Sequence, residues 1–346
     1  MTTILEKEIY QQPEVIEKMI TKHSAAIGEL AGNLRKNPPR FVLIAARGTS
    51  DHAAIYCKYL FTGINGIPAG LAMPSLHTLY RITPDLRGGL VVGISQSGQT
   101  PDVRAVLEAA RNQEVPTISI TNSKDAPIAS IADHTIILEA EEEKSVAASK
   151  TYTSQLTAIA MLTAYYSGDS KLIEQLDSIP VFINTALLQR PVTQRIAERF
   201  KQKEHVAIVS RGFNYCTSQE IALKIKELAY MVAQPYSAAD FRHGPIAMLD
   251  SGFPVLAIAM RGKALSDMED MIASIHSTDA DLTLMTNVDW LDKYSENIIR
   301  LPEKLPDWLS PIVCTVPGQL LALHLSLAKG IDPDKPRGLN KVTLTY

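Results

Sequence analysis

Apolar residues along this chain follow two periods in alternation. Short apolar runs recur at Phe41-Val-Leu-Ile-Ala-Ala, Leu90 to Ile94, His205-Val-Ala-Ile-Val-Ser and Val255-Leu-Ala-Ile-Ala-Met, and Thr117-Ile-Ser-Ile-Thr121 and Thr135 to Leu138 are further strand patterns. Runs of this kind read as strands buried on both faces of a parallel sheet. A shorter strand is predicted at Gly70 to Met73. Between the runs the spacing turns helical. Residues 1–35 place Val15, Ile16, Met19, Ile20, Ile27, Leu30 and Leu34 on one stripe, and Pro101 to Asn112 does the same with Val103, Val106, Leu107 and Ala110. Asp51 to Phe61 and Ser149 to Tyr166 are further predicted helices. Strands alternating with helices predict an α/β fold, a parallel sheet with helices on both faces.

The pattern then repeats. Arg211-Gly212 answers Arg47-Gly48, Gly262 answers Gly98 and Gln319-Leu320 answers Gln155-Leu156, each at an offset of 164, while Thr286-Asn287 answers Thr121-Asn122 at 165. Matches in one register, each in the same local pattern, imply a tandem duplication. The expected layout is a helical segment over 1–35, a first domain over 36–167, a linker near Gly168 to Gln189, a second domain over 190–330 and a tail over 331–346.

One stretch carries candidate chemistry. Leu90 to Thr100 (LVVGISQSGQT) runs from a buried strand through Ser95, Gln96, Ser97, Gly98, Gln99 and Thr100 to Pro101, which suits a first helical turn. A hydroxyl-rich loop at a helix N-terminus suits phosphate, held here by neutral donors because the loop has no Lys or Arg. A capped strand-to-helix turn has the same local pattern. The second copy reads Ala259-Met260-Arg261 at this place, so a single phosphate loop is expected, in the first half. Gly48-Thr49-Ser50 and Ser95-Gln96-Ser97 both end strands on the side where parallel sheets bind ligands, and can line one pocket.

Composition narrows the classes. With 346 residues the chain is long enough for two domains, and 46% apolar against 21% charged residues describes a globular protein. A net charge of −3 offers nothing to nucleic acid or an anionic membrane. Cys57, Cys216 and Cys314 are scattered in apolar contexts and make neither a metal site nor a disulfide framework. The start MTTILEKEIYQQP does not read as a signal peptide, and the expectation is a cytoplasmic protein without a leader or a membrane span. No metal cluster, dinucleotide fingerprint or P-loop appears, so no cofactor is expected.

Several longer motifs then come together: EIYQQP, Gly48-Thr49-Ser50, SQSGQT, SVAASKTYTSQL (Ser145 to Leu156), ALKIKELAY (Ala222 to Tyr230), FRHGP (Phe241 to Pro245) and DPDKPRGLNKVT ending at Thr343. With them the chain resembles the double SIS (sugar isomerase) domain family, in particular the isomerase half of glutamine–fructose-6-phosphate aminotransferases and the SIS-type glucosamine-6-phosphate deaminases. The resemblance implies two flavodoxin-like three-layer α/β/α domains. It implies that Ser95, Gln96, Ser97 and Thr100 hold the phosphate, and that Thr49, Ser50 and the backbone at Val146 hold sugar hydroxyls, with Asn340 a further substrate contact. It makes Glu227 the carboxylate that moves a proton between C1 and C2, with Lys224 one helical turn before it. It makes His243 the ring-opening histidine, donated by a neighbouring subunit of a homodimer, and Lys341 the tail lysine near the open-chain carbonyl.

The same residues also have plainer readings. Thr217 and Glu220 fit a capping box at the start of a mostly buried helix. Lys224 and Glu227 share a face, as a solvated surface pair does and as a base with a neighbouring cation does. His243 precedes a Gly-Pro turn, and a histidine is the residue type suited to the proton transfer of ring opening. Lys341 lies in a tail of the kind that frays, or that folds over a pocket as a lid. Its role there is either to stabilise a carbonyl oxygen or to form a Schiff base. Asp240, Gln99 and Ala148 depart from common family residues and bear on substrate identity more than on reaction class. The full aminotransferase begins with a glutaminase domain that uses an N-terminal Cys. Here Thr2 stands at that place and no Cys precedes Cys57, so ammonia from glutamine is not expected. The expected reaction is glucosamine-6-phosphate plus water to fructose-6-phosphate and ammonia. Deglycation of a fructosamine-6-phosphate, another sugar-phosphate isomerisation, and a non-catalytic sugar-phosphate sensor are the alternatives.

Overall fold

The unbroken apolar runs are the sheet strands of a computed structural model that describes residues 2–341. The chain folds into two compact units. Of the described residues, the first comprises 14–143, 150–178 and 340–341, and the second comprises 2–13, 144–149 and 179–339.

In the first unit β1 (Phe41–Ala45), β2 (Ala69–Leu71), β3 (Gly89–Ile94), β4 (Thr117–Thr121) and β5 (His134–Ile137) form a parallel sheet of order β2-β1-β3-β4-β5. Every residue of β3 is buried, which accounts for its lack of alternation. The Pro101–Arg111 helix lays Val103, Val106, Leu107 and Ala110 against Ala45, Val91 and Val115, the stripe read from its spacing.

The second unit repeats this with β6 (His205–Ser210), β7 (Val232–Ser237), β8 (Pro254–Ala259), β9 (Asp281–Thr286) and β10 (Asn297–Arg300) in the order β7-β6-β8-β9-β10. The duplication extends to register. Val42 faces Ala69 and Leu43 faces Val91, while Val206 faces Ala233 and Ala207 faces Val255, every residue displaced by 164. Pro235 is tolerated because β7 is an edge strand.

Four local readings change. The helical segment at the start is two helices, Ile4–Tyr10 and Gln12–Lys36, because Pro13 has no N–H to give the carbonyl of Ile9. The side-chain amide of Gln12 donates to that carbonyl instead, at 2.8 Å. The linker region is itself helical, over Ser170–Leu176 and Ile179–Leu187. Thr217 caps nothing: the helix starts at Tyr215, after a 3-10 turn over Gly212–Asn214, and the Thr217 hydroxyl donates to Asn214 Oδ1 at 3.0 Å inside the first turn. Finally, Asp307–Ala328 is long and apolar enough to cross a membrane, but 89% of its most apolar stretch is buried inside the protein, and the Ser310–Ala328 helix is a core element.

Candidate functional site

In a sheet of order 2-1-3-4-5 the winding reverses between β1 and β3, and ligands bind beyond the strand ends at such a point. In the first unit both strands there run into helix N-termini. After β1, Gly48 takes φ +57° and the Thr49–Gly63 helix begins. Ser50 is buried, and its hydroxyl accepts from Gln155 Nε2 at 2.9 Å. After β3, Ser95 Oγ accepts from the Gly98 N–H at 3.1 Å and pairs with Thr100 Oγ1 at 3.0 Å. Ser97 Oγ accepts from the Gln99 N–H at 3.3 Å. The Gln96 carbonyl accepts from the Asn122 N–H at 3.0 Å and from Thr121 Oγ1 at 3.3 Å, so the end of β4 holds the loop from below. Gly98 has φ +64°, and a Cβ there would stand 2.3 Å from Ala126 Cβ, so no other residue fits this turn. Thr100 is the N-cap residue of the Pro101–Arg111 helix, yet its side chain makes no cap bond. Loop hydroxyls and helix N–H groups thus share one end of the sheet, the donor set a phosphate takes.

Sequence reasoning assigned no role to a buried charge beside this loop. Asp102, in the first helical turn, is buried and accepts from Arg47 Nε at 2.7 Å and from Thr78 Oγ1 at 3.0 Å. Arg47 cancels a carboxylate that would otherwise repel an anion at this helix end. Its distance in sequence hid it.

The second unit carries the carboxylate chemistry. On the Tyr215–Ala229 helix, Lys224 Nζ lies 2.5 Å from Glu227 Oε2 and 3.5 Å from Glu220 Oε1. The Lys224 side chain is 3% exposed and that of Glu220 0%, whereas Glu227 keeps 21%. This corrects the surface-pair reading. An ammonium this deep is tolerated only because carboxylates pair with it. Of the two carboxylates, Glu227 is the one that solvent, and hence a substrate, can reach. Val146 is half-buried, and the backbone ahead of it is fixed by the Glu8 carboxylate, which accepts from the N–H groups of Lys144 at 2.5 Å and Ser145 at 3.2 Å.

His243 ends the short Ala238–Arg242 helix and is exposed, its N–H donating to the Asp240 carbonyl at 3.1 Å. Its neighbours face the other way: Phe241 is buried against Tyr236 at a ring distance of 5.0 Å, and Arg242 pairs with Asp267 at 2.6 Å. Asp240 is also exposed.

In the tail, Asp334 accepts from the N–H groups of Ile4 and Leu5, and Arg337 both donates its N–H to Tyr230 Oη at 2.6 Å and lays its guanidinium over that ring. Asn340 is exposed. Lys341 pairs with Glu143, another residue the sequence did not flag. The remainder of the predicted lid, Val342 to Tyr346, lies outside the described residues. Among the described residues no group of three His, Cys, Asp or Glu side chains is placed to hold a metal. The three cysteines are buried, and burial pushes the thiols of Cys57 and Cys314 far above neutrality, so neither is a nucleophile.

Residues 37–165 and 199–329 each match the SIS domain. The chain is 34% identical to the glutamine–fructose-6-phosphate aminotransferase of Thermococcus kodakarensis, over 97% of this chain and 57% of that one. It therefore spans a little over half the length of the curated relatives it matches. Among solved structures, the C-terminal domain of glucosamine-fructose-6-phosphate aminotransferase from Francisella tularensis superposes with a TM-score of 0.89 at 29% identity, covering 97% of this chain and 98% of that one. The glucosamine-6-phosphate deaminase of Thermotoga maritima shares the fold, with a TM-score of 0.77 at 23% identity over 99% of this chain and all of its own. Two matched segments, each with its own five-stranded parallel sheet in the same strand order, make this chain a member of the SIS domain family with two SIS domains in tandem.

Proposed function

We propose that this protein is a cytoplasmic phosphosugar isomerase that works as a deaminase, converting glucosamine-6-phosphate and water to fructose-6-phosphate and ammonia. The observation that carries the reading is the Lys224–Glu227 pair, a carboxylate with solvent access set against a buried ammonium. In this mechanism Ser95, Gln96, Ser97 and Thr100 take the phosphate, while Thr49, Ser50, the Val146 backbone and Asn340 take sugar hydroxyls. His243 opens the ring by giving a proton to the ring oxygen. Glu227 removes the C2 proton and returns it to C1. The C2 amine becomes an imine, water adds, and ammonia leaves a ketose. Lys341 stands by the open-chain oxygen. The exposure of His243 supports the reading in which it is donated to a neighbour's site within an active homodimer.

Plain aldose–ketose isomerisation uses the same proton transfer and is the second reading, favoured by the identity with the Thermococcus aminotransferase. An ammonia-release assay on glucosamine-6-phosphate separates the two. Fructosamine-6-phosphate and fructose-6-phosphate serve as parallel substrates. Ammonia with equimolar fructose-6-phosphate is expected. Turnover of fructose-6-phosphate to an aldose, without ammonia from any amine, would overturn the deaminase reading in favour of the isomerase.

A further inference from the structure

Glu143 carries a carboxylate whose side chain is 0% exposed. It stands just ahead of the Lys150–Ser167 helix, and that helix fixes it: the Thr151 N–H donates to Oε1 at 3.1 Å and the Thr151 hydroxyl donates to Oε2 at 2.8 Å. The positive end of an 18-residue helix favours a negative charge at this place. The same Oε2 accepts from Lys341 Nζ at 2.6 Å, across 198 residues of sequence. Lys341 is 25% exposed, so its stem is largely covered and its ammonium points inward to a carboxylate already held rigid. Charge-assisted contacts of this length are among the stronger hydrogen bonds, and a carboxylate out of water needs such partners.

We propose that Glu143 is a positioning residue for Lys341: a fixed anchor at the helix N-terminus that captures the Lys341 ammonium and sets where Asn340 and Lys341 lie. The catalytic consequence rests on the role given to Lys341 above; the anchoring does not. In the deaminase, Glu143 acts only through Lys341 and touches no reacting atom.

The test reads the tail directly. Lysines of the native protein are acetylated with limiting reagent, and Lys341 is followed by mass spectrometry against the exposed Lys335 as internal standard. In the wild type Lys341 should label several-fold more slowly than Lys335. Glu143→Gln, which keeps shape but not charge, should raise Lys341 labelling several-fold and leave Lys335 unchanged. Glu143→Asp, which withdraws the carboxylate by one methylene, should fall between the two and serves if the Gln variant does not fold. Labelling of Lys341 that is unchanged in a folded variant would overturn the anchor, whether or not the protein deaminates anything. Where ammonia release is measurable, Glu143→Gln should lower kcat without moving KM, and should cost nothing further in a Lys341→Met background. A loss that persists in that background would assign Glu143 to packing instead.

Discussion

The two units end equivalent strands in different chemistry. Beyond β3 the first presents Ser95, Ser97 and Thr100; beyond β8 the second presents Ala259, Met260 and Arg261. Arg261 is turned onto the Trp290 ring, 5.2 Å from its centroid, and its N–H is taken by Asn287 Oδ1. The Asp307 carboxylate presses on Gly262, so the second unit's strand end is filled by its own side chains. The helices reverse the contrast. At an offset of 164, Lys224 and Glu227 fall on Leu60 and Gly63, a core leucine and the last residue of a helix. Sheet register is retained in both copies because every slipped strand would move buried faces into water. Strand ends and helix faces bear no such constraint, so one copy keeps anion donors and the other a carboxylate.

The largest expected effect falls on the carboxylate side. Glu227→Gln should slow ammonia release by roughly a hundredfold to ten-thousandfold while KM stays near wild type. Lys224 keeps Glu220 as a partner, so the variant should fold. Ammonia release at a near wild-type rate would remove Glu227 from the mechanism and make Asp240 the next base to test.

Next comes the loop. Ser97→Ala removes one hydroxyl, worth about 1.5–3 kcal/mol against a charged ligand. Calorimetric affinity for fructose-6-phosphate should drop accordingly, whereas Arg261→Ala, at the equivalent place in the second unit, should leave it unchanged. Equal losses from both would break the comparison.

A smaller but qualitative effect concerns His243. Mixed subunits of inactive His243→Ala and inactive Glu227→Gln should regain measurable ammonia release, because hybrid dimers contain one intact site. No recovery after confirmed subunit exchange would place each site within one chain.

The smallest effect is on stability and belongs to the second unit alone. His324 is buried on the Ser310–Ala328 helix, where the first unit has Ala160, and its Nδ1 pairs with Thr193 Oγ1 at 2.9 Å. Burial, helped by the charge of Arg190, pulls its pKa down to about 4. The unfolded chain, with a histidine pKa near 6.5, therefore binds the proton first. Stability is unaffected above about pH 6.5 and falls as pH drops toward 4, by about 3 kcal/mol over the window. Denaturant unfolding of His324→Gln should show a correspondingly flatter pH dependence than wild type. Identical slopes would exonerate His324.

Much of this was legible before the fold was known. Buried strands announce themselves because both faces must be apolar, and the offset of 164 is visible wherever Gly follows a strand end. Glu227 and the loop could be singled out because local patterns and family motifs mark them. The break before Gln12 was missed, although Pro13 signalled it. Asp102 with Arg47, and Glu143 with Lys341, were missed for a different reason. Each ion pair joins residues far apart in sequence, and a buried carboxylate looks like any surface acid until its partner is placed.

The proposed mechanism gives phosphate binding to the Ser95 to Thr100 loop and proton transfer to Glu227. It is tested most directly by solvent deuterium entering C1 of fructose-6-phosphate, followed by NMR as a function of sugar concentration. The wild type should exchange with saturation. The loop variant should keep most of the maximal rate but need far more sugar to reach it. Glu227→Gln should lose the maximal rate. A Glu227→Gln protein that exchanges at the wild-type maximum, or a loop variant that saturates at the wild-type concentration, would contradict the account.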